Sequence, residues 1–251
     1  GQTQFIDCSP SAGGRRARAA VPRAMTTSGK NRPRRTQARS AETRQLILDR
    51  ALALFRKRGF ERTTMRQIAA DAGLSLGAAY YYFDSKDAIV LAFYDRARTE
   101  MGPLLEKALS ETRDLRGKLR RVIQVKLDYF AASRNLLSAL SRYTSPEHPL
   151  SPFSSQTRDI READIHIFER ALETSRTRVP EDLRPHLPRL LWMYQMGIIL
   201  FWIGDTSSGQ KKTQTLLDRS LQMVTRLIVL AGLPLTRPLR RNIVEILDAM
   251  M

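Results

Sequence analysis

A single cysteine, Cys8, in 251 residues excludes a disulfide framework and suits a reducing compartment. The three histidines, His148, His166 and His186, stand too far apart to build a zinc site with Cys8, because four-ligand motifs pair their ligands a few residues apart. Acid is scarce too. Asp and Glu number 25 against 42 Lys and Arg, a formal net charge of +17 that points to an anionic partner such as nucleic acid. Long apolar runs are missing. Leu190 to Ile203 is apolar apart from Gln195 and Gly197, but its 14 residues fall short of the roughly 20 that cross a bilayer, so it reads as a core or subunit-interface helix. No secretory signal is found, so neither membrane nor export is expected and the cytoplasm is the natural location. Catalytic signatures are scarce as well: there is no phosphate loop, His-Glu-x-x-His or dinucleotide fingerprint, so neither an enzyme nor a cofactor is expected.

What is present is unevenly spread. Residues 1–40 hold nine basic groups and one acid, residues 41–100 ten and eight, residues 101–251 twenty-three and sixteen. Nearly half of the excess therefore lies in the first sixth of the chain. That segment is rich in Ser, Gly, Pro and Ala, has no apolar periodicity, and reads as a flexible basic arm. Residues 1–24 precede a plausible start at Met25 and are set aside as an extension, native or not. The stretch containing Arg34 and Arg35 is either a solvated tail or an arm that follows DNA phosphates or enters a minor groove.

Beyond residue 40 apolar residues recur at spacings of three and four, which predicts an all-α protein. Ile47, Ala51, Leu54 and Phe55 line a first helix over about 41 to 58, closed by Gly59. Thr64 to Gln67 has capping-box spacing and opens a short second helix that Gly73 ends. Ser75 caps a third through Phe83, and a fourth runs from Asp84 or Ser85 to Gly102-Pro103. Larger helices are expected over about 104–112, 115–132, 134–143, 156–177, 187–204, 210–231 and 238–250. The chain thus divides into an arm (1–40), a four-helix domain (41–100) and a larger helical domain (101–251).

Two short helices joined by a Gly-containing turn outline a helix-turn-helix. Thr63-Thr64-Met65-Arg66-Gln67-Ile68-Ala69, Ala72-Gly73-Leu74-Ser75, Gly77-Ala78-Ala79-Tyr80-Tyr81-Tyr82-Phe83 and Ser85-Lys86-Asp87 closely resemble the TetR family of transcriptional regulators over about residues 43–92. The resemblance implies that Thr64 and Lys86 anchor the phosphate backbone on either side of the groove and that Arg66 reaches a base edge. It also implies a variable second domain for ligand binding and dimerisation, there by architecture alone.

Placed on a wheel with Phe83 at zero, Leu76, Ala79 and Phe83 form the buried side of the third helix. Gly77, Ala78, Tyr81 and Tyr82 then look outward, and Tyr80 flanks the core. Ser75 opens this helix, and with Gly77, Ala78 and the three tyrosines it is expected at the DNA. The outward face carries none of the Arg, Lys, Asn or Gln that make two-bond contacts to bases, so direct readout is thin. Specificity then rests on Ala78 against thymine methyls, on the arm, on DNA shape, and on Arg66, which either pairs with guanine or is a solvated surface residue.

A two-headed reader implies a homodimer on a palindromic site of double-stranded DNA. Leu191, Tyr194 and Ile198, with Leu217, Leu221, Val224 and Ile228, make stripes suited to a four-helix bundle between copies, or to the chain's own core. Tyr129, Tyr143, His166, Trp192, Gln195 and Trp202 are the candidates for lining a ligand cavity, with Gln195 foremost because a buried amide needs a partner. A small apolar or anionic hydrophobic effector is favoured. The expected protein is a ligand-released repressor; the competing reading, an architectural DNA-coating protein without effector, is open to the charge alone.

Overall fold

The structure, a computed structural model, describes residues 32–249. Among them are ten α-helices and no strand: α1 Arg32–Arg58, α2 Met65–Asp71, α3 Leu76–Tyr82, α4 Lys86–Ser110, α5 Leu115–Phe130, α6 Arg134–Leu140, α7 Arg158–Glu173, α8 Leu187–Gly204, α9 Lys211–Ala231 and α10 Arg237–Ala249.

The first helix starts nine residues before the predicted position, inside the stretch read as a flexible arm. Nothing from Pro33 to Ser40 forbids this. Proline is tolerated in a first turn, and Arg, Gln and Ala are good helix formers. Gln37, Ala38 and Arg39 are exposed, so no apolar stripe betrayed the helix in the sequence. Residues 1–31 lie outside the described residues, as do the side chains of Arg34 and Arg35, which fall in the first turn of α1.

Two hydrophobic cores organise residues 41–249. The first joins Ile47, Ala51 and Phe55 of α1 to Ile68 of α2, Ala79 of α3 and Ile89 and Val90 of α4. Phe55 meets Phe60 edge to face with ring centroids 5.1 Å apart. Leu136 and Leu140 of α6 and Leu150 of the following loop complete it. The second is built from Leu119 and Ile123 of α5, Phe168 of α7, Trp192, Ile198 and Trp202 of α8, and Leu217 and Leu221 of α9. Helix α4 belongs to both. Its Ile89, Val90 and Phe93 enter the first core, and Ala97, Met101, Leu105 and Leu109 the second.

The predicted break at Gly102-Pro103 is absent, and α4 continues to Ser110. Pro103 and Thr99, four residues before it, are both exposed, so the carbonyl that loses its N–H partner can take water instead. Leu105 and Leu109 hold the last turns in the core. Beyond α8, the Asp205 carboxylate accepts from the backbone N–H of Ser207 and Thr213, both at 2.9 Å, and from both hydroxyls. These four donors hold its pKa well below the usual carboxylate range and fix the turn into α9.

Candidate DNA-binding face and inner cavity

The local structure of α2 and α3 follows from their caps. Thr64 accepts from the Gln67 N–H at 3.3 Å while Gln67 Oε1 accepts from the Thr64 N–H at 3.0 Å, a complete capping box. Ser75 accepts from the Ala78 N–H at 3.1 Å, and Ser85 from the Ala88 N–H at 3.1 Å. Between α2 and α3 the chain reverses at Gly73, whose φ of 68° lies in the left-handed region where a side chain would be strained.

Tyr80 and Tyr82 exchange the places predicted for them. Tyr80 is 48% exposed and Tyr81 81%, whereas Tyr82 is half-buried and packs against the first core, its ring edge to face with Tyr81. The reason lies in the reference residue. Phe83 is buried but is the C-cap, with φ −142° and ψ 116°, so it has left the helical wheel. Centring the wheel on buried Ala79 puts Leu76 and Tyr82 about 60° to either side, with Tyr80 and Ala78 about 100° away and Gly77 and Tyr81 opposite. Exposure follows that order: Gly77, Tyr80 and Tyr81 are exposed and Leu76 and Tyr82 half-buried, with Ala78 half-buried beside them.

Arg66 is exposed on α2, and no other described residue engages its guanidinium. Lys86 opens α4, but its ammonium donates to the Phe60 carbonyl at 2.8 Å and lies 4.5 Å from the centre of the Phe60 ring. This brace ties the start of α4 to the loop after α1. Phe60 therefore positions the very charge expected at the phosphate.

Comparison with known proteins agrees with this geometry. A profile of bacterial regulatory proteins of the tetR family matches residues 47–93, and one of the tetracyclin repressor-like C-terminal domain matches residues 118–243. The chain belongs to the TetR family of transcriptional regulators.

Among relatives of this TetR-family chain, the HTH-type transcriptional repressor BepR of Brucella suis is 43% identical over 65 residues, 26% of this chain and 31% of BepR. The chain spans a third to under a half of the length of the curated relatives it first matches. The fold extends further. A TetR regulator from Haloarcula marismortui superposes with a TM-score of 0.57 at 18% identity, over 75% of this chain and 98% of that one. The structure of SmeT in complex with triclosan gives 0.53 at 22%, over 73% and 91%.

In the TetR-type second domain a cavity of about 150 Å³ opens among α4, α5, α6, α7 and α8. Its apolar wall includes Tyr94, Phe130, Leu137, Trp192 and Ile199, and its polar end Lys126, Asp164 and Gln195. Of the predicted lining residues it contains Trp192 and Gln195. The other four lie elsewhere. Tyr129 donates to Glu100, and Tyr143 donates to Glu61 at 3.0 Å and stacks on His148. His166 pairs with Glu169 on the surface, and buried Trp202 donates to Gln210 at 2.8 Å. Aromatic residues with a polar tip were sensible candidates, but each tip had a partner within reach.

The residues missed are charged. Lys126 is 2% exposed, and its Nζ lies 2.6 Å from Asp164 Oδ2. That approach lies off the hydrogen-bond direction, leaving the buried ammonium without an acceptor in line. Gln195 is fully buried; its Nε2 donates weakly to Asp164 at 3.4 Å and its Oε1 has no partner. Burial pushes the Tyr94 hydroxyl above the ordinary tyrosine range, so it is neutral. A signal for Lys126 was available: it stands four residues after Val122 and three after Ile123, in the buried stripe of α5.

Of the two uses predicted for the stripes on α8 and α9, the described residues show the chain's own core. Leu191, Ile198, Leu217, Leu221 and Ile228 are buried in the chain's own core, Val224 packs against it, and Tyr194 is half-buried with its hydroxyl 2.6 Å from Ser220. The same helices expose another face, with Leu190, Met193, Leu200 and Phe201 on α8 and Met223 and Leu227 on α9. Because α8 is apolar almost all round, periodicity could not tell its inner from its outer side. Its 18 residues have a mean hydropathy of 1.2, enough by composition to cross a membrane, yet Leu191, Trp192, Gln195, Ile198 and Trp202 are committed to the protein interior.

Proposed function

We propose that this regulator is a repressor that binds a palindromic operator as a homodimer and leaves it when a small molecule fills the cavity. Residues 41–100 read the DNA, with Thr64, Arg66, Ser75, Gly77, Ala78, Tyr80, Tyr81 and Lys86 at the interface. Residues 101–251 sense and dimerise, and the protein works beside the DNA in the cytoplasm. One observation carries the release step: Tyr94 and Phe130 line the cavity and pack against the DNA-binding core, and Leu150 lines the cavity as a member of that core. A molecule that prefers one arrangement of these residues shifts the position of the head that they support. The exposed apolar faces of α8 and α9 support the dimer, because a contiguous apolar surface of that kind marks a protein contact.

Selection of bound sequences from random DNA with the full chain, beside sedimentation of the protein alone, tests the reading. It calls for a dimer and a palindrome whose half-sites are one helical turn or a multiple apart. Sequence-independent coating of DNA by a monomer would replace it with the architectural alternative.

A further inference from the structure

The polar end of the cavity carries more information than its existence. Of the three cations that line the cavity, Lys126 is paired with Asp164 at 2.6 Å, Arg98 with Asp95 at 2.8 Å, and Arg161 donates to the Pro152 carbonyl at 2.8 Å, so each charge already has a partner in the protein. What the pocket offers is a donor and an acceptor on two residues that meet at Asp164, whose Oδ2 lies 2.6 Å from Lys126 Nζ and 3.4 Å from Gln195 Nε2. The ammonium of Lys126 has N–H bonds with no acceptor in line, and Gln195 Oε1 is a buried acceptor with no donor. Leaving such groups unmade is unfavourable, and one hydroxyl satisfies both, accepting from Lys126 and donating to Gln195.

A carboxylate could satisfy only Lys126. It would turn lone pairs on Gln195 Oε1 and bring a second negative charge beside Asp164. An ammonium would satisfy Gln195 but meet Lys126. Much of the remaining wall is apolar, from Tyr94, Phe130, Leu137, Trp192 and Ile199. A closed apolar cavity of roughly this volume accepts a benzene ring. We propose that the cavity takes a neutral, mainly apolar molecule bearing a phenolic or alcoholic hydroxyl, held between Lys126 Nζ and Gln195 Oε1. This rests on the reading of the cavity as an effector site and drops the anionic effector favoured from the sequence.

The test is calorimetric titration of the full chain, without DNA, by 4-ethylphenol, ethylbenzene and 4-ethylbenzoate. The expected order is 4-ethylphenol about tenfold tighter than ethylbenzene, with 4-ethylbenzoate weakest. In Gln195→Leu, with Gln195→Met as a second variant of similar volume, 4-ethylphenol falls to within about twofold of ethylbenzene, whose own affinity holds. Benzoate binding tighter than the phenol, a preference that survives both variants, or no binding by any probe overturns the proposal. Displacement from DNA is read separately by fluorescence anisotropy. Phenol binding without displacement leaves the pocket chemistry standing and removes the release reading; displacement by all three probes alike removes the pocket chemistry alone.

Discussion

The DNA-binding core and the second core bury their residues to different ends. Around Ile47, Phe55, Ile68 and Ala79 the interior is apolar and closed, and the polar groups at the helix starts are met by Thr64, Ser75 and Ser85. Around Trp192 and Phe168 the interior holds a buried lysine, an unpaired amide oxygen and a cavity. A region that presents a fixed surface to DNA gains from satisfying every group internally. In the second region, unmet groups beside a cavity suit the ligand response proposed for it.

Substitutions can break that contrast. Phe55→Ala in the closed core removes a ring with no exposed surface and should destabilise the protein by about 3 to 5 kcal/mol in urea or thermal unfolding. Lys126→Met in the second core should destabilise by about 2 to 3 kcal/mol, below the range for a fully buried pair because Asp164 is a quarter exposed. Adding Asp164→Leu should recover most of that loss. A double variant as unstable as the single one would show that Lys126 acts by packing rather than by charge.

On the DNA side, Arg66→Ala should relax the preference at one base pair by about 1 to 3 kcal/mol in binding-site selection, with overall affinity changing less. An unchanged selected sequence would make Arg66 a solvated surface residue. The smallest effect belongs to Gln195→Leu. Replacing a fully buried residue normally destabilises, but here an unpaired acceptor disappears, so unfolding should shift by no more than about 0.5 kcal/mol, toward stability if at all.

The same contrast explains what could be seen in the sequence. The helix-turn-helix was legible because caps, a glycine at positive φ and short-range spacing define it, all within some forty residues of chain. Its one error, the exchange of Tyr80 and Tyr82, came from counting Phe83 as helical. In the second domain the helices were legible, but their faces were not. Leu191 and Leu190 look alike in sequence, and only packing separates the buried one from the exposed one. Gln195 stood out as a polar residue in an apolar run; Lys126 and Asp164, from different helices, could be paired only by the fold.

In the proposed release, the cavity and the DNA-binding head are coupled through residues they share. Phe130 is one of these, half-buried at the end of α5 on the cavity wall, with its ring edge to face against Phe93 of the first core, centroids 5.8 Å apart. Phe130→Trp places a larger ring in the space assigned to a ligand, and anisotropy of the selected operator measures the result directly, with thermal unfolding as a check on the fold. With the coupling in place, affinity falls about tenfold or more while the variant stays folded and dimeric. Full operator affinity with the cavity filled by that ring would contradict it.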